Sequence, residues 1–278
     1  MSGLDYGLRI APRALVRARR PLRLVERNLT SARHVWLVFV SGFFEPLFYL
    51  LALGVGVGTL VGVVDIGGEP VPYREFVAPA LLAASAMNGA VYESGNVFFK
   101  LKYARTYEGV LATPLTVRDV AVGELVYTLM RGTVYSIGFV SVMLALGLIQ
   151  SPWAVLAVPA ATIVSAGFAA AGVFSTTLMR TWADFAIVEL FVLPMFLFSA
   201  TFVPAEEYPA ALQWVLPLTP LYHGVVLLRA LTLGDVTPLA LVNVAYLCAM
   251  TAIFLVLADR KLTKLSVSYT HLTLPTKA

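Results

Sequence analysis

Charge is scarce in this chain. Of its 278 residues only 13% are Asp, Glu, Lys or Arg, while 59% are hydrophobic and the mean hydropathy is +0.82. A soluble domain carries roughly a quarter of its residues as charges, so most of this chain is not built to face water. Metal-binding and thiol chemistry are equally thin: there is one cysteine, Cys248, and three histidines, His34, His223 and His271. A lone cysteine forms no intrachain disulfide, and these scattered groups give no metal-ligand cluster. No Gly-x-x-x-x-Gly-Lys-Ser/Thr run occurs, so the chain has no P-loop with which to hold ATP. No serine–histidine pair has an evident shared site, and no catalytic residue is assigned. The first 34 residues carry eight arginines and no apolar signal-peptide core. The first long apolar run, from Val35, extends for about 27 residues, longer than the core of a cleavable signal.

What the chain does have is long apolar blocks. A bilayer core about 30 Å thick needs roughly 20 apolar helical residues. Blocks at 35–61, 76–99, 125–148, 153–179, 185–202 and 239–258 predict an all-α, polytopic membrane protein with six spans. Counting lysine and arginine with the N-terminus inside puts 17 of the 20 in segments 1–34, 100–124, 180–184 and the C-terminal segment. The positive-inside rule then places both termini in the cytoplasm, in a bacterial inner membrane. The net charge of +4 comes from these flanking residues and reads as headgroup and topology anchors, not as a nucleic-acid surface.

Between and beside the spans the reading is finer. Residues 9–33 predict an interfacial amphipathic helix in two pieces, with Pro12 and Pro21 each in a first turn. Arg13, Arg17 and Arg20 mark one face of the first piece. Leu22, Val25 and Leu29 mark the apolar stripe of the second, with Arg23 and Arg27 elsewhere, an arrangement that lies in the membrane surface against anionic lipid. Residues 203–238 are punctuated by proline. The apolar run Leu221–Leu233, interrupted by His223 and Arg229, is too short to span, so two re-entrant outer half-helices are expected, Ala210–Leu216 and Tyr222–Leu231, parted by Pro217 and Pro220. The tail from 263, above all the Ser/Thr-rich Ser266–Ala278, lacks an apolar face and reads as a non-native extension. Gly54, Gly58 and Gly62, and the pairs Ser165/Ala169 and Gly167/Ala171, lie inside spans, where small residues four apart let helices approach closely. A dinucleotide loop would need a preceding strand.

The 25-residue segment Lys100–Glu124 is the most informative connector. Tyr103–Leu111 predicts a short helix, Thr113-Pro114 breaks it, and Thr116 with Asp119 predicts a capping box for the next helix. Aromatics, charges and a defined break suit docking of a partner protein. Four ionisable groups lie within spans: Glu45, Glu93, Arg131 and Glu189. Charge at membrane depth is costly and is usually paired or faces a cavity. Glu93 precedes Lys100 by seven residues and Arg131 follows Glu124 by seven, so both sit roughly 10 Å inside the same boundary. An intramembrane Glu93–Arg131 salt bridge is predicted, with a structural or a functional role. Glu45 and Glu189 fall in the same half, near a substrate entrance; a proton-relay role for them stays open.

The run Thr106-Tyr-Glu-Gly-Val-Leu-Ala-Thr-Pro-Leu115 resembles the cytoplasmic loop of type-2 ABC transporter permeases. Phe44-Glu-Pro-Leu-Phe-Tyr-Leu50, followed by Gly54-Val-Gly-Val-Gly58, resembles their first span. The resemblance, to permeases such as nodulation lipo-oligosaccharide exporters and daunorubicin-resistance proteins, covers about residues 15–262. It implies that the helix at 103–111 is the coupling helix, with Tyr103, Arg105, Thr106, Tyr107 and Glu108 as the ATPase-coupling residues. It further implies separate ABC ATPase subunits carrying the ATP and magnesium, a second permease copy as homodimer or heterodimer, and an amphipathic cargo: a lipid-linked saccharide or a hydrophobic drug. The chain itself binds no cofactor on this reading. A secondary transporter or channel is the rival, but inverted repeats with helices broken at the midplane are not evident. An intramembrane lipid enzyme would need clustered carboxylates or histidines, and the glutamates are scattered.

Overall fold

The computed structural model describes residues 20–32, 44, 47–104 and 106–272. In chain order the elements are α1 (Arg20–Ala32), α2 (Leu47–Val61), a hairpin of β1 (Val63–Ile66) and β2 (Glu69–Pro72), α3 (Tyr73–Lys102), α4 (Thr106–Leu111), α5 (Val117–Ala145), α6 (Ala157–Leu178), α7 (Phe185–Leu197), α8 (Ala210–Gln213), α9 (Pro220–Leu233) and α10 (Leu239–Leu272). The chain is a mostly helical, polytopic membrane protein. Among the described residues three helices are long and apolar enough to cross a bilayer: Arg118–Ala145, Pro152–Leu178 and Leu239–Lys261. The 30-residue α3 has the length, about 45 Å at 1.5 Å per residue. It is less apolar because it runs through the bundle's centre on Ala, Gly, Ser and Asn faces.

The core lies where α3, α5, α6, α9 and α10 meet, around Phe76, Leu82, Met87, Met143, Leu221, Leu228 and Leu247. Small residues set the closest crossing. A Cβ on Gly172 of α6 would stand 2.5 Å from the Ser94 Cβ of α3, so only glycine fits there. The close packing expected at Gly54, Gly58 and Gly62 is not what these residues do within the chain. Gly54 and Gly58 make ordinary contacts across a π-helical stretch, Ala52–Val57, and Gly62 ends α2 with φ +72°.

Several elements depart from the sequence expectation. The all-α reading omitted the hairpin. Its Gly67-Gly68 turn has φ +61° and +93°, the doubly left-handed geometry that two-residue hairpins favour, and Asp65 Oδ1 accepts a 2.7 Å bond from the Gly68 amide. Pro70 and Pro72 disguised the second strand, which has only one neighbour and so can hold proline. The third span's helix starts earlier than 125, because the capping box forms as expected: Thr116 Oγ1 accepts from the Asp119 amide and Asp119 Oδ2 from the Thr116 amide. The fifth stops at Leu197, beyond Pro194, and turns through Ala200 at φ +53°, whose carbonyl accepts from Arg229 Nη2 at 2.9 Å. The last helix continues beyond 258 to Leu272, through part of the tail. Where half-helices were expected, Ala210–Leu218 and Pro220–Leu233 meet at 88°, the shape of a broken span or a re-entrant loop.

The long helices give the bundle two distinct ends. The hairpin, the start of α3 and the end of α5 share one: Gln150 donates to the buried Glu75 carboxylate, and its amide donates to Thr232 O. The end of α3, α1, α4 and the start of α5 share the other, which carries Arg23, Arg27, Lys100, Lys102 and Arg118 and is called the basic end below.

Candidate functional site

At the basic end α1 lies across α5. Its second-piece stripe was expected to be Leu22, Val25 and Leu29. Leu22 and Leu29 of that stripe are 49% and 41% exposed, as residues facing lipid are, while the face that α1 packs on the bundle is Leu24, Val25 and Asn28. The reason is local: a Cβ on Gly123 of α5 would meet Leu24 at 2.8 Å, so Leu24 occupies a notch that only glycine leaves open. One turn on, Asn28 is carried onto Glu124.

Glu124 is 1% exposed and is the meeting point of four elements. Its Oε2 accepts from Asn28 Nδ2 of α1 at 3.0 Å and from Lys100 Nζ of α3 at 2.9 Å. Its Oε1 accepts from Tyr107 OH of α4 at 2.9 Å. A buried carboxylate is tolerable only when paired and hydrogen-bonded, and all three donors come from different helices. Lys100 also lies 5.8 Å over the Tyr127 ring. Burial, then the Glu124 charge and hydrogen bond, push the Tyr107 phenol well above its usual value, so it remains a donor. Around this node Leu24, Val97, Tyr107 and Val120 form their own small apolar core. Among the described side chains, the six-residue α4 is pinned to the bundle through one buried hydrogen bond, from Tyr107 to Glu124, and a few apolar contacts.

The expected coupling residues separate accordingly. Tyr107 is 5% exposed and faces inward, so its side chain anchors α4 and is not presented to a partner. Tyr103 is exposed; its ring stacks on Phe99 at 5.8 Å and its OH accepts from the Trp182 amide at 3.3 Å, tying α3 to the α6–α7 turn. Thr106 opens α4. Glu108 lies within α4, and Arg105 lies outside the described residues, as does Glu45. Asn28, Lys100 and Glu124 were missed by the sequence reading, which took Glu124 as the edge of a span. The available signal was an acid two turns into a helix whose cap was already identified.

Deeper in the bundle Arg131 Nη1 lies 2.5 Å from Glu93 Oε2, the pairing expected from their matched depth. Asn96 Nδ2 donates to the same oxygen at 3.2 Å, and Arg131 Nε donates to Tyr135 OH at 3.1 Å. Arg131 and Tyr135 form part of the wall of a cavity of about 570 Å³, with Ser85, Asn88, Tyr92 and Glu189 among the other lining groups. Glu93 and Arg131 are thus brought together, and Glu189 stands on the same cavity wall. Such a space, with apolar walls, three tyrosines including Tyr49, and a few polar groups, can receive a molecule with both apolar and hydrogen-bonding parts. No group of three or more potential metal ligands exists among the described residues.

Comparison with known proteins adds an independent line. Residues 22–233 match the family model described as ABC-2 type transporter. The chain is similar to Nodulation protein J of Rhizobium leguminosarum bv. viciae, 30% identical over 232 residues that cover 82% of this chain and 87% of that protein. Nodulation protein J of Rhizobium meliloti is 29% identical over 212 residues, 75% of this chain and 79% of the relative. That of Rhizobium leguminosarum bv. trifolii is 30% identical over 211 residues, 75% and 79% respectively. The match spans α1, the node and the bent pair α8–α9.

Proposed function

The chain belongs to the ABC-2 type transporter family, and from that premise we propose that it is the membrane-spanning subunit of an ATP-driven exporter whose ATPase subunits dock at the basic end. It is a transport permease component and not itself an enzyme. In this reading two permease copies, or one copy and a paralogue, line the pathway, and two separate ATPases bind and hydrolyse the ATP with magnesium. The first, second and fifth spans complete a six-span bundle, α8–α9 forms the re-entrant outer element, and both termini lie in the cytoplasm of the inner membrane.

The observation that carries the reading is the Glu124 node. A short helix held by one buried phenol–carboxylate bond is a lever arm: force on α4 is transmitted through Tyr107 and Glu124 into α5, and through Lys100 and Asn28 into α3 and α1. Closure of the ATPases would displace α4, and the node would turn that displacement into relative movement of α3 and α5. These are the helices that hold Glu93 and Arg131 beside the cavity. The cargo is an amphipathic molecule, a lipid-linked saccharide or a hydrophobic drug, which suits a cavity of mixed aromatic and polar walls.

The test is co-purification of the chain with its ABC ATPase, followed by ATP turnover with Arg105 and Glu108 replaced by alanine. Association with the unaltered chain, and turnover altered several-fold by the substitutions, is expected. No association, or turnover indifferent to both changes, removes the assignment.

A further inference from the structure

At the end of the bundle opposite the basic end, the two strands of the hairpin treat their free edges differently. Val63 stands opposite Pro72, Val64 opposite Val71, Asp65 opposite Pro70 and Ile66 opposite Glu69. Just before them the Tyr73 amide donates to Gly62 O at 3.0 Å. Antiparallel ladders alternate between hydrogen-bonded and non-hydrogen-bonded pairs, so the bonded pairs that follow are Val64–Val71 and Ile66–Glu69. The backbone groups of Val63 and Asp65, and of Pro70 and Pro72, therefore point away from the ladder, to the two free edges. On β2 both outward positions are proline, which has no amide to offer, so that edge is closed to a further strand. On β1 both outward positions keep amide and carbonyl, and among the described residues no hydrogen bond reaches them. One edge is blunt and the other is open.

Placement and charge set what covers the open edge. Val64, Ile66 and Val71 pack on the bundle's core, while Val63, 61% exposed, and Asp65 stand on the face turned from it. The sheet thus lies flat on the bundle end, and an axis along the membrane normal crosses it at a right angle. Such an axis relates two edges antiparallel, and a second copy in the same membrane carries the same edge at the same height. Set against itself, β1 places Val63 opposite the partner's Asp65 and Asp65 opposite the partner's Val63, which meets the amides and carbonyls of all four residues. The neighbouring symmetric registers are worse. One sets Asp65 directly against the partner's Asp65, a destabilising like-charge pair, and the other leaves both Asp65 backbones unmet. The edge is self-complementary in one register, with its two charges offset.

We infer that the open edge of β1 is an interface with a second copy of this chain: the two β1 strands pair antiparallel about a two-fold axis and join the hairpins into a four-stranded sheet. The β2 strands form its rims, where Pro70 and Pro72 stop further strands, so the pairing is isologous and closes at two copies. The argument draws on the edge alone and uses neither the ATPase nor the cargo. It goes beyond the exporter reading, which leaves open a copy or a paralogue, by naming the occupant and the surface it covers.

The experiment is disulfide cross-linking of the full-length chain in membrane vesicles, in a Cys248→Ala background that removes its one native thiol. In the paired register Val64 faces the partner's Val64 as a non-hydrogen-bonded pair, with Cα atoms about 4.5 Å apart, a separation a disulfide spans. Val64→Cys is expected to give a covalent dimer under mild oxidation, and Pro70→Cys, on the blunt edge, is not. Differently tagged Val63→Cys and Asp65→Cys copies expressed together should cross-link several-fold more than either alone. Val63→Pro added to Val64→Cys removes one edge amide per copy, leaves the hairpin's own ladder untouched, and should lower the yield several-fold. The cysteine pairs keep the test sound should that proline variant fold poorly. Native mass spectrometry of the chain in nanodiscs counts copies independently. Paired chains whose Val64→Cys cross-links no more than Pro70→Cys overturn the seam and leave the exporter reading in place. Asp65→Cys cross-linking better alone than with Val63→Cys overturns it through the register. A chain that stays single overturns the second copy as occupant, while co-purification with the ATPase decides the exporter reading separately.

Discussion

Take the carboxylate of Glu124 away and three donors from three helices point at nothing: Asn28, Lys100 and Tyr107. Hydrogen bonds to a charged group contribute about 1.5–3 kcal/mol each, and breaking a buried pair leaves an uncompensated charge. Lys100 keeps part of its side chain in solvent, at 20% exposed, which moderates the cost. Glu124→Gln is therefore expected to destabilise the chain by about 2–3 kcal/mol. Lys100→Met in the Glu124→Gln background should cost less than Lys100→Met alone. Thermal unfolding of the two single variants and the double variant, followed by tryptophan fluorescence, should give a coupling of about 1–2 kcal/mol. Strict additivity would mean that the two side chains do not act as a pair.

At the scale of the element, the turn between α6 and α7 shows how a local cap sets where a helix begins. Asp184 accepts from the Arg180 amide at 2.7 Å and from the Thr181 amide at 3.1 Å. These backbone donors hold its carboxyl below the ordinary 3.8. The folded value is depressed, so the cap's contribution is fully present above the ordinary carboxylate range and is lost as pH falls through the lower, folded value. Hydrogen exchange at the Arg180 and Thr181 amides should stay slow at pH 5 and accelerate, beyond the intrinsic trend, only below about pH 3.8. Asp184→Asn should abolish that acid step. An acid step already complete near pH 5 would contradict the assignment. The same scale shows what local chemistry in the sequence can reveal. The Thr116–Asp119 box and the break at Thr113-Pro114 were legible because each rests on neighbouring residues. The hairpin was not, because prolines masked its pattern, and the buried face of α1 was not, because it is chosen by the notch at Gly123, which lies far along the chain from Leu24.

For the whole molecule the long apolar blocks and the depth-matched Glu93 and Arg131 carried the membrane architecture and the intramembrane pair. The Glu124 node was invisible for a physical reason: its partners lie 96, 24 and 17 residues from it in sequence, and only tertiary packing brings them together. The node makes α4 part of the bundle instead of a loose connector. Of the expected coupling residues, Tyr107 is turned inward and holds α4 to the bundle. The most direct measurement is ATP turnover by the partner ATPase in nanodiscs under three conditions: without the chain, with it, and with Glu124→Gln. The account predicts that the unaltered chain changes turnover several-fold relative to the ATPase alone, and that Glu124→Gln assembles with the ATPase but loses most of that effect. Turnover that is the same in all three conditions, or a Glu124→Gln complex indistinguishable from the unaltered one, would contradict it.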